Sequence, residues 1–160
     1  MTGRGEVARL RRRLDATFGR APPPAADLEF QSDYAKYLCV LVSGFFENAI
    51  AALLLDYVER RSSPEVLSYV ERQLDYWTNP NIEKVVALLG AFNVEWRAKA
   101  TDYLVDARKE SVNSLVALRH KIAHGESVGT SLYQVRVHYK IIVEVLDFLA
   151  DLIESVPTNT

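Results

Sequence analysis

Apolar side chains recur every three or four residues through most of this chain, and few stretches alternate with the period of two that a strand requires. The pattern predicts an all-α fold: an up-and-down bundle of four to six helices with an N-terminal helical arm. Val7, Leu10, Leu14 and Phe18 mark a short amphipathic helix over residues 6–18. Three consecutive prolines within residues 21–26 end it and make a stiff linker. From about 27 to 61 a long apolar pattern runs through Tyr34, Leu38, Leu41, Phe45, Leu53 and Tyr57. It covers more than one face, which places this helix at the centre of the bundle. Ser43 and Gly44, in its middle, are small enough to let another helix approach closely.

Ser62-Ser63-Pro64-Glu65 is a helix start, with a serine cap and proline at the first helical position. That helix carries Val66, Leu67, Val70, Leu74 and Trp77, and Thr78-Asn79-Pro80-Asn81 breaks it. Residues 82–89 restart a helix ahead of Gly90, and no definite element is predicted around 94–99. One helix is expected from about 101 up to Gly125. A last one, over 131–155, carries Leu132, Val135, Tyr139, Ile142, Leu146, Leu149 and Ile153. The short turn between them makes antiparallel neighbours. The expected organisation is a basic helix and proline-rich linker at 1–26, a helical domain at 27–156 and a tail at 157–160. There is no internal repeat and no glycine-rich phosphate loop.

At 160 residues the chain suits one domain, and 49% hydrophobic with 25% charged residues is ordinary for a soluble protein. The apolar run at 49–55 stops at Asp56, short of the roughly 18 residues that cross a bilayer. The N-terminus is arginine-rich with no apolar segment behind it, unlike a signal peptide. A lone cysteine, Cys39, rules out an intramolecular disulfide and fits a reducing compartment. Cytoplasmic residence without membrane contact is therefore expected. Net charge is −2, but Arg4, Arg9, Arg11, Arg12, Arg13 and Arg20 give the first twenty residues a balance of +4. Such a segment can neutralise phosphates or simply solubilise the chain.

The residues with most chemical content are Arg119-His120-Lys121-Ile122-Ala123-His124-Gly125, which hold two of the chain's three histidines. On a helical wheel Val112, Leu115, Val116, Ile122 and Ala123 form an apolar stripe with Arg119 at its centre. A guanidinium there needs a partner, because an unpaired buried charge costs several kcal/mol. Glu47, from the central helix, is the plainest one. Gly125 suits the left-handed position just past a helix end. Arg119 and His124 lie about 140° apart around an ideal helix and about 7.5 Å along it. Two geometries unite them: a bent helix end, or two copies meeting across a two-fold axis.

This motif resembles the signature of the HEPN superfamily, an arginine followed after four to six residues by a histidine near a helix end. His120 falls at that family's variable polar position. The RiboL-PSP-type branch is the most similar: Ser43 and Glu47 in LVSGFFENAI reproduce its Ser-x-x-x-Glu pattern, and NPNIEKVVALLGAF at 79–92 is like the segment preceding its motif helix. The resemblance spans roughly residues 27–153. It implies a metal-independent endoribonuclease acting on RNA as a homodimer, with no cofactor. The ribose 2′-hydroxyl attacks phosphorus, leaving 2′,3′-cyclic phosphate and 5′-hydroxyl ends. Carried over, Arg119 and His124 are catalytic and His120, at the variable polar position, assists; Lys121, next in line and expected to face outward, is placed to contact flanking phosphates. Glu47 and Asn48 support Arg119. The resemblance also implies a toxin or effector of a bacterial defence or toxin–antitoxin system, with an antitoxin or activator protein as partner.

The alternative is a non-catalytic helical module that dimerises or binds a partner or nucleotide. His120 and His124 have zinc-ligand spacing, but no third ligand accompanies them, so no metal is expected. His138 is expected as a partly exposed surface histidine. Tyr133 and Tyr139 could stack on bases, although Tyr139 fits the apolar seam better.

Overall fold

The computed structural model describes residues 2–155, and the tail expected at 157–160 lies outside them. Among the described residues there are seven helices and no strand. They are α1 (Gly3–Gly19), α2 (Leu28–Glu59), α3 (Pro64–Asp75), α4 (Ile82–Phe92), α5 (Val94–Tyr103), α6 (Asp106–Ala123) and α7 (Leu132–Glu154).

Helix α2 is central, as its two-sided apolar pattern requires: α1, α3, α6 and α7 all pack on it. Leu38, Cys39, Val42, Phe46, Ala49, Ile50 and Leu54 along it are fully buried. With 32 residues and a stretch of mean hydropathy 2.1, α2 is long and apolar enough to cross a membrane by length and composition. Here its neighbours supply the apolar surroundings instead. Gly44 faces open space, so it is not the point of close approach that its size suggested. That point is Gly3, where a Cβ would stand 3.0 Å from the Ala52 carbonyl oxygen and the Leu53 Cα. Cys39 is a core residue, its thiol pushed up to about 11 by burial.

The N-terminal segment shares this core. Leu14 and Phe18 of α1 are buried in it, and Phe18 stacks on Tyr139 of α7 with centroids 4.7 Å apart. Tyr139 donates to an Asp15 carboxylate oxygen, and Tyr34 of α2 donates to the Thr17 carbonyl at 2.7 Å. Arg4 pairs with Asp151 and Glu154 near the end of α7.

Several boundaries differ from expectation. Helix α5 fills the region left without an element, started by Asn93, whose side chain accepts from the Glu95 and Trp96 N–H groups. Trp96 anchors it, buried edge-on to Tyr57 at 4.9 Å. The single helix expected from 101 to the motif is two. The chain turns at buried Leu104, where the Val105 N–H bonds to the Tyr103 carbonyl, and Asp106 takes a φ of 51°. That three-residue turn needs neither proline nor glycine to end a helix. Ser63 occupies the N-cap of α3 without a side-chain capping bond, leaving Pro64 as the starting signal.

Candidate active site

The motif closes α6 with two backbone bonds. Gly125, at φ 71°, donates to the Ile122 carbonyl, and Glu126 donates to the Lys121 carbonyl. This is the Schellman arrangement, and it needs a left-handed residue where the glycine stands. His124 is the last near-helical residue, and its N–H still bonds to the His120 carbonyl at 3.1 Å. The helix end therefore stays regular. Its geometry brings His120 and His124 together, one turn apart, with ring centroids 4.3 Å apart and the rings inclined at 59°. Both imidazoles are exposed, as is Lys121 between them.

Arg119 is half-buried, and its partner differs from the expected carboxylate. Its Nη1 donates to Oδ1 of Asn79 at 2.5 Å, and the Asn79 N–H donates to Oε2 of Glu47 at 3.0 Å. Glu47 thus supports Arg119 through Asn79. The loop carrying Asn79 is fixed from both sides. Asn81 caps α4 by accepting from the Lys84 N–H, and Lys84 Nζ donates to the Thr78 carbonyl at 2.9 Å. From α6, Asn113 accepts the Ile82 N–H at 2.9 Å. Asn79 itself has a φ of 52°, a conformation asparagine tolerates better than most residues.

Asn48 is exposed on α2 and lines a cleft against α1. Of the residues singled out in sequence, the structure joins Glu47 to Arg119 through Asn79 and joins His120 to His124. In the sequence Asn79 stands in a helix break and at the start of the family-like segment 79–92, with no role at the site assigned to it; an asparagine before proline at a break is the signal that points to it.

His138 is a correction. It is buried at 8% exposure, and its Nδ1 shares a hydrogen bond of 2.6 Å with the Ser111 hydroxyl between α6 and α7. Its Nε2 is buried without a hydrogen-bond partner among the described residues, and burial lowers its pKa. Flanking Arg136 and Lys140 suggested a surface position, but His138 lies three and four residues from Val135 and Ile142, on the packed face. Tyr139 does sit on the apolar seam, with burial and the bond to Asp15 raising its pKa. Tyr133 is 78% exposed. Among the described residues no group of three or more His, Cys, Asp or Glu side chains gathers as a metal site.

Chemically, the end of α6 offers two exposed imidazoles for proton transfer. Immediately before His120 it offers a guanidinium held by a neutral amide, with Glu47 one hydrogen bond further away and not paired to it directly. The family model described as RiboL-PSP-HEPN matches residues 10–155, from the middle of α1 through α7. No curated protein and no solved structure matches the chain.

Proposed function

The chain belongs to the RiboL-PSP-HEPN family, and from that premise we propose that it is a metal-independent endoribonuclease. The observation that carries this reading is the intact set Arg119, His120 and His124 at an ordered helix end, with Arg119 aligned by an amide rather than neutralised by a carboxylate. In the reaction, the 2′-oxygen bonds to the adjacent phosphorus as its proton passes to a base. The bond to the leaving 5′-oxygen breaks as that oxygen receives a proton. The products are a 2′,3′-cyclic phosphate and a 5′-hydroxyl. Imidazoles exchange protons effectively near neutral pH, and a guanidinium offers paired donors to phosphate oxygens as charge accumulates.

In this reading His124 transfers the proton, His120 assists and orients it, and Arg119 clamps the phosphate. Lys121, exposed beside them, contacts flanking phosphates. The straight helix end favours the second geometry, in which Arg119 and His124 of two copies meet a single phosphate and the enzyme acts as a homodimer. Its setting is the cytoplasm, as the toxin or effector of a bacterial defence or toxin–antitoxin system, restrained or activated by a partner protein.

The test is cleavage of end-labelled RNA in EDTA by wild type, Arg119→Ala and His124→Ala, with dimer state and folding checked for each. Cleavage by wild type alone, leaving cyclic phosphate ends, is the expected result. Full activity in a folded His124→Ala protein removes the assignment. No cleavage of several RNAs by folded wild-type dimer favours a binding module instead.

A further inference from the structure

Between α1 and α2 lies a cleft of about 470 Å³, within the size range of small-ligand sites. Arg13 of α1, Arg20 just past its end, and Tyr37 and Asn48 of α2 line it over a floor that includes Leu41 and Phe45, and among the described residues no carboxylate lines it. The Arg13 guanidinium makes no hydrogen bond or ion pair among the described residues, whereas Arg4, Arg9 and Arg11 are all paired with carboxylates. Arg20 is steadied by one bond from Nη2 to the Thr17 hydroxyl at 3.2 Å, and its other side-chain donors bond to none of the described residues. Tyr37 is 51% exposed, and Tyr34 supports its ring edge-on at 5.7 Å.

The walls of the cleft are fixed relative to each other. Tyr34 ties α2 to the Thr17 carbonyl, and Phe18 is stacked on Tyr139 behind it. Two uncancelled guanidinium groups, an exposed phenol ring and a primary amide on a rigid frame have the chemistry of a nucleotide site. Arginines take phosphates, the ring stacks on a base and the amide reads a base edge.

We propose that this cleft binds single-stranded RNA, with one base against Tyr37, the two phosphates flanking it on Arg13 and Arg20, and the edge of a neighbouring base at Asn48, about 16.5 Å from Tyr37 along α2. Arg13 and Arg20 are about 10.5 Å apart along the helix, a gap their long side chains narrow toward the spacing of successive phosphates. The adjoining cleft, beyond Leu10 and Asn48, is lined by Glu6, Glu47, Glu71 and Asp75 with Arg9. It repels phosphate, so the backbone is confined to the arginine end. Asn48 thus becomes a substrate contact, adjacent in α2 to the Glu47 that anchors Asn79 and Arg119. The inference deepens the ribonuclease reading and rests on it for the choice of RNA.

The test measures binding apart from cleavage. Wild-type protein is titrated with a fluorescent 2′-O-methyl RNA oligonucleotide, which has no free 2′-hydroxyl to attack phosphorus, and separately with 5′-AMP. The oligonucleotide should bind. Arg13→Ala and Arg20→Ala should each weaken it roughly tenfold, as for loss of a charge-assisted bond. The double variant should flatten the salt dependence by about 1.4 in slope, two phosphate contacts on a single strand. Tyr37→Ala should lose roughly fivefold or more while Tyr37→Phe retains binding. Arg12→Ala, on the same helix but outside the cleft, should bind as wild type. Equal losses at Arg12 and Arg13, 5′-AMP binding as tight as the oligonucleotide, or no oligonucleotide binding would each overturn the proposal. Failure of RNA cleavage with binding intact would instead overturn the catalytic reading.

Discussion

With φ at 52°, Asn79 keeps a backbone that glycine adopts easily and alanine does not, while its side chain holds Arg119. Substitution can separate the two properties. Asn79→Gly keeps the loop and the N–H to Glu47 but deletes the amide. It should unfold within about 1 kcal/mol of wild type while losing RNA cleavage roughly tenfold, the effect of one lost aligning bond. Asn79→Ala adds about 1–2 kcal/mol of backbone strain to the same loss. Urea unfolding beside kcat and KM for each variant distinguishes them, and full kcat in Asn79→Gly would show that Arg119 aligns without it. The sequence identified Arg119, His120 and His124 because their residue types are rare and close together. It did not reveal Asn79, because that contact spans forty residues and depends on a loop whose path is set by Asn81, Asn113 and Lys84. His138 was misplaced because charged neighbours say nothing about which side of α7 is covered.

At the scale of elements, the seam between α6 and α7 contains a titrating group. Burial depresses the pKa of His138, so the folded protein holds it neutral at pH values where the unfolded chain already binds a proton. Stability from this group is complete above the ordinary histidine value near 6.5 and falls as pH drops from there through the lowered folded value. The facing partner, Ser111, carries no charge to offset protonation. Wild type should therefore lose more stability between pH 8 and pH 5 than His138→Gln, which cannot titrate. Parallel losses in urea midpoints would put the pH sensitivity elsewhere. The end of α6 makes a second case. A Cβ at Gly125 meets nothing within 4 Å, so Gly125→Ala should cost only the conformational penalty of φ 71°, about 1 kcal/mol by urea unfolding. Helices with strong start signals, at Pro64, Asn81 and Ser131, were legible from sequence. Helix α5 was not, because its ten residues have little apolar periodicity and only Trp96 and Ala100 are buried. The turn at Leu104 was hidden for a related reason: a buried leucine at a helix break looks like one more core position.

For the whole molecule, the sequence set a basic N-terminal arm at 1–26 apart from the domain at 27–156, and packing decides what its removal should do. The family match begins at residue 10, partway along α1, and takes in both Leu14 and Phe18. Ahead of it lie Gly3, fitted against α2, and Arg4, whose ion pairs to Asp151 and Glu154 are substantially exposed. Exposed pairs of that kind contribute about 1 kcal/mol or less each. Burial of Leu14 and Phe18 contributes about 2–3 kcal/mol apiece, and truncating a buried phenylalanine costs about 3–5 kcal/mol. Against a total of about 5–15 kcal/mol, these quantities separate two deletions. Removing residues 1–9 should leave a cooperative transition with a modestly lowered midpoint. Removing residues 1–20 uncovers Phe45 and Tyr139 and should abolish the transition or drive aggregation. Phe18→Ala in the full chain should fall between them. Thermal and urea unfolding of the three proteins checks the order, and a cooperative, monodisperse 21–160 protein would show that α2 to α7 fold without α1. In that event the shortened chain would also lack Arg13 and Arg20, so its RNA binding should fall even with the Arg119 site preserved.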